Sequence, residues 1–529
     1  MAGDLSLHLL LIALIVSPLL FFFVSGRRAA RDAARVVRQR LPPSPWALPV
    51  IGHLHHLATG DLPHRALRDM ARRHGPLMLL RLGEVQTVVA SSADAAREIL
   101  KAHDVAFSSR PMGPVSRLWF QGADGLVFAP YGEPWRRLRR VCAAELLSHR
   151  RVASFRHVRE DELSRLLRAV ASSPPSSPVN LTEMISTYVA DSTVRAIIGS
   201  RRLKDRDEYL RLLGELFSIM PGMSLPDLFP SSRLAMLVSR APGRIRRYRR
   251  RMRRIMDSII DEHKERRDAA GDEEDDEEED LVDVLLRLQK EVGDQYPLTT
   301  ENIKTVMVDI FAAASETSAT ALDWVMAELM RSPTAMRKAQ DEVRRALAGA
   351  GGGEVTEDVL PGLHYLKLVV KETLRLHPPA PLLLPRRCES ACEVLGHDVP
   401  AGATVLVNAW AIARDPAHWE SPDDFSPERF AGDGGGGETR DFRGADFEFI
   451  PFGAGRRMCP GMAFGLVHVE LALAALLFHF DWSLPGGMDA GELDMTESSG
   501  LTVRRRLQLL LVARPHALSL LCHEVVIDY

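Results

Sequence analysis

The stretch PFGAGRRMCPG, Pro451 to Gly461, runs straight into MAFGLVHVELALAALLFHF, and this junction constrains the chain more than any other feature. Glycines and prolines disfavour ordinary helix or strand in the first part, whereas the second is strongly helical in pattern. Cys459 therefore sits in a loop just before a helix, whose positive dipole end lies near the sulfur. Phe452, Gly455, Arg457, Cys459 and Gly461 read F-x-x-G-x-R-x-C-x-G. Glycines let a backbone approach something flat and close, and freed N–H groups with nearby arginines keep a thiolate ionised. The arrangement suits a thiolate ligand to a metal inside a large planar cofactor. A structural cysteine buried in a loop is the alternative.

The surrounding chain is globular in composition, with 46% apolar and 26% charged residues over 529 positions. It can bury a large core without disulfides. A net charge of −3 gives no reason to expect a nucleic-acid partner. The five cysteines are scattered and odd in number, unlike a disulfide framework. Cys388 and Cys392 stand four apart, but no second close Cys/His pair follows as a zinc finger needs. Leu5 to Val24 is almost wholly apolar, and at about 1.5 Å per residue would cross a bilayer core. Met1 to Asp4 carries no Lys or Arg, while Arg27, Arg28, Arg31, Arg35, Arg38 and Arg40 follow the segment. That asymmetry predicts an uncleaved anchor over 1–25 with the body on the cytoplasmic side.

A basic flank and a proline-rich spacer, LPPSPWALPVIGHL, fill 26–52. Leu77 to Ser91 reads as two strands joined at Gly83-Glu84, and DAAREILKAH as helix. From Leu138 to about Lys290 helical periodicity dominates, with breaks at Ser172–Pro178 and Pro221–Pro230. Arg244 to Arg267 is a basic amphipathic helix, either a solvated face or a membrane-surface element. GDEEDDEEED, Gly271 to Asp280, and GDGGGG, Gly432 to Gly437, read as surface insertions. The expected body is mainly α with minor β.

The cysteine loop resembles the haem-binding loop of the cytochrome P-450 superfamily, and four further features agree in order. KETLRLHP and FSPERF supply Glu372, Arg375 and Arg429, which the resemblance joins as a structural ion network. Ala313-Ala314-Ser315-Glu316-Thr317-Ser318 resembles the family's oxygen-binding stretch on the long central helix. Ala314 departs from the usual glycine there. PYGEPWRRLRR gives Trp135 and Arg139 as haem-propionate contacts, joined by Arg386 and Arg457, with Phe452 and Gly461 beside the cofactor. The anchor and hinge match microsomal members, although Ser44 replaces a usual glycine. The plant specialised-metabolism group is the most similar in pattern.

The resemblance implies a cytochrome P-450 fold over 53–515: a triangular helical body, a long central helix over the haem and a small β-rich region. A tail of no assigned role, 516–529, follows. It implies a haem-thiolate monooxygenase with haem b held by Cys459, O2 as co-substrate, and NADPH acting through a reductase. Glu316 and Thr317 are the implied catalytic pair, a proton relay and an oxygen-side hydroxyl. NADPH–cytochrome P-450 reductase, with cytochrome b5 as an optional donor, would dock on Arg136, Arg137, Arg140 and Arg456. The implied location is the endoplasmic reticulum membrane. A small hydrophobic substrate would meet Trp119, Phe120, Leu126, Phe217, Met220, Met223, Ile310, Phe311, Ala314, Leu382, Leu383 and Leu501. Alternatives are a same-fold isomerase or dehydratase that needs no reductase, or a non-catalytic haem-binding protein.

Overall fold

A computed structural model of the chain describes residues 40–516, except 59, 121–124, 175, 200–202, 204, 220–223, 271–278, 292–297, 350–354, 433–439 and 499. The apolar N-terminal segment, most of the acidic run, most of the glycine-rich insertion, the tail beyond His516, Met220 and Met223 therefore lie outside the described residues.

The body is mainly helical. The elements that build the site are α1 (Pro114–Phe120), α2 (Glu133–Val141), α3 (Leu181–Ile198), α4 (Ala241–Ala270), α5 (Leu281–Glu291), α6 (Thr300–Arg331), α7 (His364–Leu376) and α8 (Met462–His479). Among the described residues, nine strands form three small sheets. In the largest, β1 (Leu77–Leu82) pairs antiparallel with β2 (Val85–Ala90), as the sequence predicts. There β7 (Thr404–Val407) lies parallel to β2, and β4 (Arg386–Arg387) runs antiparallel to β7. A second sheet orders β3 (Val179–Asn180), β9 (Leu510–Pro515) and β8 (Phe480–Ser483). A hairpin joins β5 (Cys392–Val394) to β6 (His397–Val399).

Helix α6 organises the molecule. Thr299 starts it with a capping box: its hydroxyl accepts from the Asn302 N–H, and the Asn302 side chain accepts from the Thr299 N–H. Ser332 and Pro333 end it. Its first half, including Val306 and Phe311, packs in one apolar cluster with Tyr209, Tyr248 and Ile255. Its second half, from Ala319 through Leu329, packs in another with α3, α7 and α8. The changeover falls at Ala313–Ser318, where the polar interruption stands.

Helix α8 is long and apolar enough to cross a membrane, but it is mostly buried. Residues Leu471 to Phe478 sit in the core on every side, the pattern of an interior helix. In α4 the apolar positions Ile245, Tyr248, Met252, Ile255 and Ile259 face the core. The basic helix predicted from its amphipathic pattern thus lays its apolar stripe on the core and turns its basic face outward.

Candidate active site

The changeover in α6 opens a cavity of about 310 Å³. Ile310, Ala313, Ala314 and Thr317 line one side, and Pro451, Phe452, Cys459, Pro460 and Gly461 line another. Cys459 is exposed and lines this cavity, so its sulfur can be reached by a group bound there. Burial raises the Cys459 pKa, while the Gly461 N–H and the Arg139 charge oppose the rise. The Cys459 N–H donates to the Phe452 carbonyl at 3.0 Å, closing the loop, and α8 starts three residues on. Gly455 has a reason other than approach to a flat ligand. Its φ is +69°, and a Cβ there would lie 2.0 Å from the Leu100 carbonyl oxygen.

Beside the cysteine lie four guanidinium groups: Arg110, Arg139, Arg386 and Arg457 all line the cavity. Among the described residues none of them pairs with a carboxylate; they are held by carbonyls instead. Arg457 donates to Ser108 at 2.6 Å and Ala129 at 2.5 Å, and lies 3.8 Å over the Trp135 ring. Arg139 donates to Met458 at 2.5 Å, and Arg386 to Ala454 at 3.0 Å. Arg110 donates to Leu384 at 2.8 Å, Pro385 at 2.9 Å and Val127 at 3.1 Å. Trp135 donates to the Leu126 carbonyl at 2.9 Å. Burial, then Arg386 and Arg139, pulls Arg457 down to about 9; burial pulls Arg386 down to about 10.

Buried cations without counter-ions are costly. A planar group carrying two carboxylates at its edge and a metal facing Cys459 resolves both features. Haem fits this donor set. Arg110 escaped sequence reasoning: a lone Arg in SSRP has no local signal, and its role arises from Val127, Leu384 and Pro385.

Behind the site, Glu372 and Arg375 are fully buried and doubly bonded at 2.7 and 2.8 Å. Arg429 reaches the same carboxylate at 3.0 Å. Arg375 also bonds the Ala413 and Pro422 carbonyls, tying α7 to the segment after β7. The network expected from sequence is thus assembled.

The polar interruption divides. Thr317 faces the cavity, and its hydroxyl donates to the Ala313 carbonyl at 2.7 Å. Glu316 is turned away: it is buried, ion-paired with Arg504, and accepts from the Thr502 hydroxyl at 2.7 Å. A carboxylate projecting beside Thr317 is therefore not its position here, because adjacent helical residues point about 100° apart. Sequence reasoning also missed Asp309, two turns earlier. One of its oxygens accepts from the N–H groups of Leu126 and Val127 at 2.7 and 3.0 Å, fixing their loop to α6. Burial pushes this carboxyl up to about 7.

Of the expected substrate contacts, Trp119, Leu126, Ile310, Ala314, Leu383 and Leu501 line the cavity. Two do not. Phe311 packs outward against Tyr209, with ring centroids 5.0 Å apart, because it lies on the core face of α6. Leu382 packs against the cluster of Leu67, Met70 and Leu80. Phe120 ends α1 and Phe217 lies in the helix Arg206–Ile219; their side chains are outside the description.

A profile of the Cytochrome P450 family matches residues 42–511. Dolabradiene monooxygenase of Zea mays is 48% identical over 475 residues, 89% of this chain and 92% of the relative. Desmethyl-deoxy-podophyllotoxin synthase of Sinopodophyllum hexandrum is 46% identical over 482 residues, 91% and 93% of the two chains. Premnaspirodiene oxygenase of Hyoscyamus muticus is 44% identical over 478 residues, 90% and 93%. A zebra fish cytochrome P450 solved with abiraterone shares the fold, with a TM-score of 0.70 at 24% identity, covering 86% of this chain and 100% of that one. With its thiol, arginine cluster and facing hydroxyl around one cavity, the chain belongs to the cytochrome P450 family and is a haem-thiolate monooxygenase that uses O2.

Proposed function

We propose that this protein inserts one oxygen atom into a small, mostly hydrophobic specialised metabolite, as a hydroxylation or epoxidation. Electrons come from NADPH through a membrane-bound reductase. The observation that carries the reading is Cys459 and Thr317 opening onto one cavity lined by Trp119, Leu126, Ile310 and Leu383. A thiolate-ligated haem supplies dioxygen activation when bound. The residues do the rest. Cys459 ligates, Arg110, Arg139, Arg386 and Arg457 with Trp135 hold the carboxylates, and Phe452 and Gly461 pack alongside. The Thr317 hydroxyl holds a proton next to the reacting space, while the apolar walls exclude bulk water. Glu316 serves proton supply from behind α6 through the Thr502 hydroxyl, which lines the cavity, while Arg504 holds the carboxylate in place. The names of the relatives, among them a dolabradiene monooxygenase, support a terpenoid-like substrate.

Membrane attachment has support beyond the apolar N-terminal segment. Trp46, Val50 and Ile51 are exposed, as are Leu234, Leu237 and Val238. The β1–β2 turn links the two groups: the Gly83 N–H bonds Ile51 and the Glu84 N–H bonds Leu228. These exposed apolar groups support contact with a membrane surface, read here as that of the endoplasmic reticulum. For the reductase, Arg136 and Arg456 both flank the Tyr131 ring at 5.9 Å, and Arg140 is exposed. This face lies next to the Cys459 loop, which suits an acidic flavin domain or cytochrome b5.

The test is co-expression with a plant NADPH-dependent reductase and a panel of terpenoid and phenylpropanoid substrates. Product carrying 18O from 18O2, dependent on NADPH, is the expected result. Reductase-independent rearrangement of substrate would overturn the reading.

A further inference from the structure

Away from the cavity, two thiols share one turn. Strand β4 ends at Arg387, the chain bends at Glu389–Ser390, and β5 begins at Cys392. The Cα of Cys392 is registered with that of Val399 across the hairpin. The Cys388 sulfur lies 4.0 Å from the same residue's carbonyl and 3.1 Å from that of Ser390. Both thiols are thus brought to Val399 of one hairpin, packed at the edge of the same apolar cluster. Their surroundings differ. Cys388 is fully buried, whereas Cys392 is half-buried at the hairpin edge.

We propose that Cys388 and Cys392 are a reversible peroxide-responsive dithiol, with Cys392 the attacking thiol and Cys388 the resolving one. The electrostatics agree with this division: the neighbouring Cys388 thiol lowers the Cys392 pKa, while the Cys392 neighbour and burial raise that of Cys388. An acidic, accessible thiol beside a protonated partner is the arrangement that oxidises reversibly. The Cys392 thiolate attacks one oxygen of hydrogen peroxide, the O–O bond breaks, and hydroxide leaves, giving a sulfenic acid. The Cys388 thiol attacks that sulfur, the S–O bond breaks, and the oxygen leaves as water with the thiol proton. Peroxide gains two electrons and the two sulfurs together lose two.

The bond would pin the end of β4, the strand that carries Arg386. The Cys388 N–H already donates to Ala403 at 2.9 Å, and Gly402 returns a bond to Cys388 at 2.6 Å.

The sequence makes the test direct, because a tryptic peptide spanning 388–414 holds both cysteines and no other. The full-length, haem-loaded protein is treated with limiting hydrogen peroxide, then denatured, alkylated and digested. The expected peptide has lost two hydrogens and both alkylation sites, and dithiothreitol restores them. In Cys388→Ser the reaction stops at a sulfenic acid on Cys392, trapped by dimedone; in Cys392→Ser, Cys388 stays reduced. Cys388→Ala, with its carbon-monoxide spectrum as a check on folding, replaces the serine variant if that fails to fold. Full alkylation of both thiols after peroxide has destroyed the Cys459 spectrum would overturn the proposal. So would oxidation of Cys388 at the wild-type rate in Cys392→Ser.

Discussion

Arg139 is the least entangled member of the arginine cluster, since it donates to a single carbonyl, that of Met458. Replacing it with Met removes one cation facing the cavity, proposed to meet the cofactor carboxylates, and little else. A hydrogen bond to a charged group contributes about 1.5–3 kcal/mol. Haem should therefore pass to an excess of apomyoglobin roughly ten- to a hundredfold faster from Arg139→Met; an unchanged rate would remove Arg139 from the cofactor. Asp309 makes a second prediction. Its carboxyl moves from an ordinary 3.8 to about 7 on folding. The folded chain then holds the proton more tightly. Its stabilising contribution is whole below about pH 4 and is lost as pH rises through about 7, some 4 kcal/mol in all. Asp309→Asn keeps an oxygen for Leu126 and Val127 but cannot titrate. Denaturant midpoints of wild type and variant, compared from pH 4 to 8, should diverge across that window; parallel profiles would contradict the assignment.

At the scale of elements, α7 and the segment carrying Arg429 depend on one carboxylate. Glu372 receives Arg375, Arg429 and the Ser426 N–H. Glu372→Gln leaves the fully buried Arg375 and the partly buried Arg429 short of charge, which costs about 3–5 kcal/mol. We expect poor haem incorporation and a lowered melting temperature, measured on apoprotein as well as holoprotein; a stable apoprotein would assign the network to the cofactor alone. Much of this was legible in sequence because the informative residues are local. E-x-x-R lies on one helical face, Cys459 sits between glycine-rich loop and helix, and β1–β2 is a short hairpin turning at Gly83-Glu84. What escaped involves partners far apart in the chain. Arg110 finds Leu384 some 270 residues on, and Arg504 draws Glu316 away from Thr317. The outward turn of Phe311 depends on Tyr209, and the fate of the basic face of α4 on the core beneath it. No spacing rule within a segment contains these pairings.

For the whole molecule, the proposed membrane attachment rests on the apolar N-terminal segment and on the exposed apolar residues around Trp46 and around Leu237. A chain beginning at residue 40 should still float with phosphatidylcholine vesicles in high salt. Changing Leu234, Leu237 and Val238 together to Asp should release it; equal flotation of both forms would exclude the patch. The same body must enclose haem on a sulfur donor, and everything said of oxygen chemistry depends on that bond. The direct measurement is the reduced, carbon-monoxide difference spectrum of the purified full-length protein beside Cys459→His. A red-shifted Soret band in the wild type, lost in the variant, is the predicted result. A wild-type band at the position given by nitrogen ligation, or one that survives the substitution, would contradict the account.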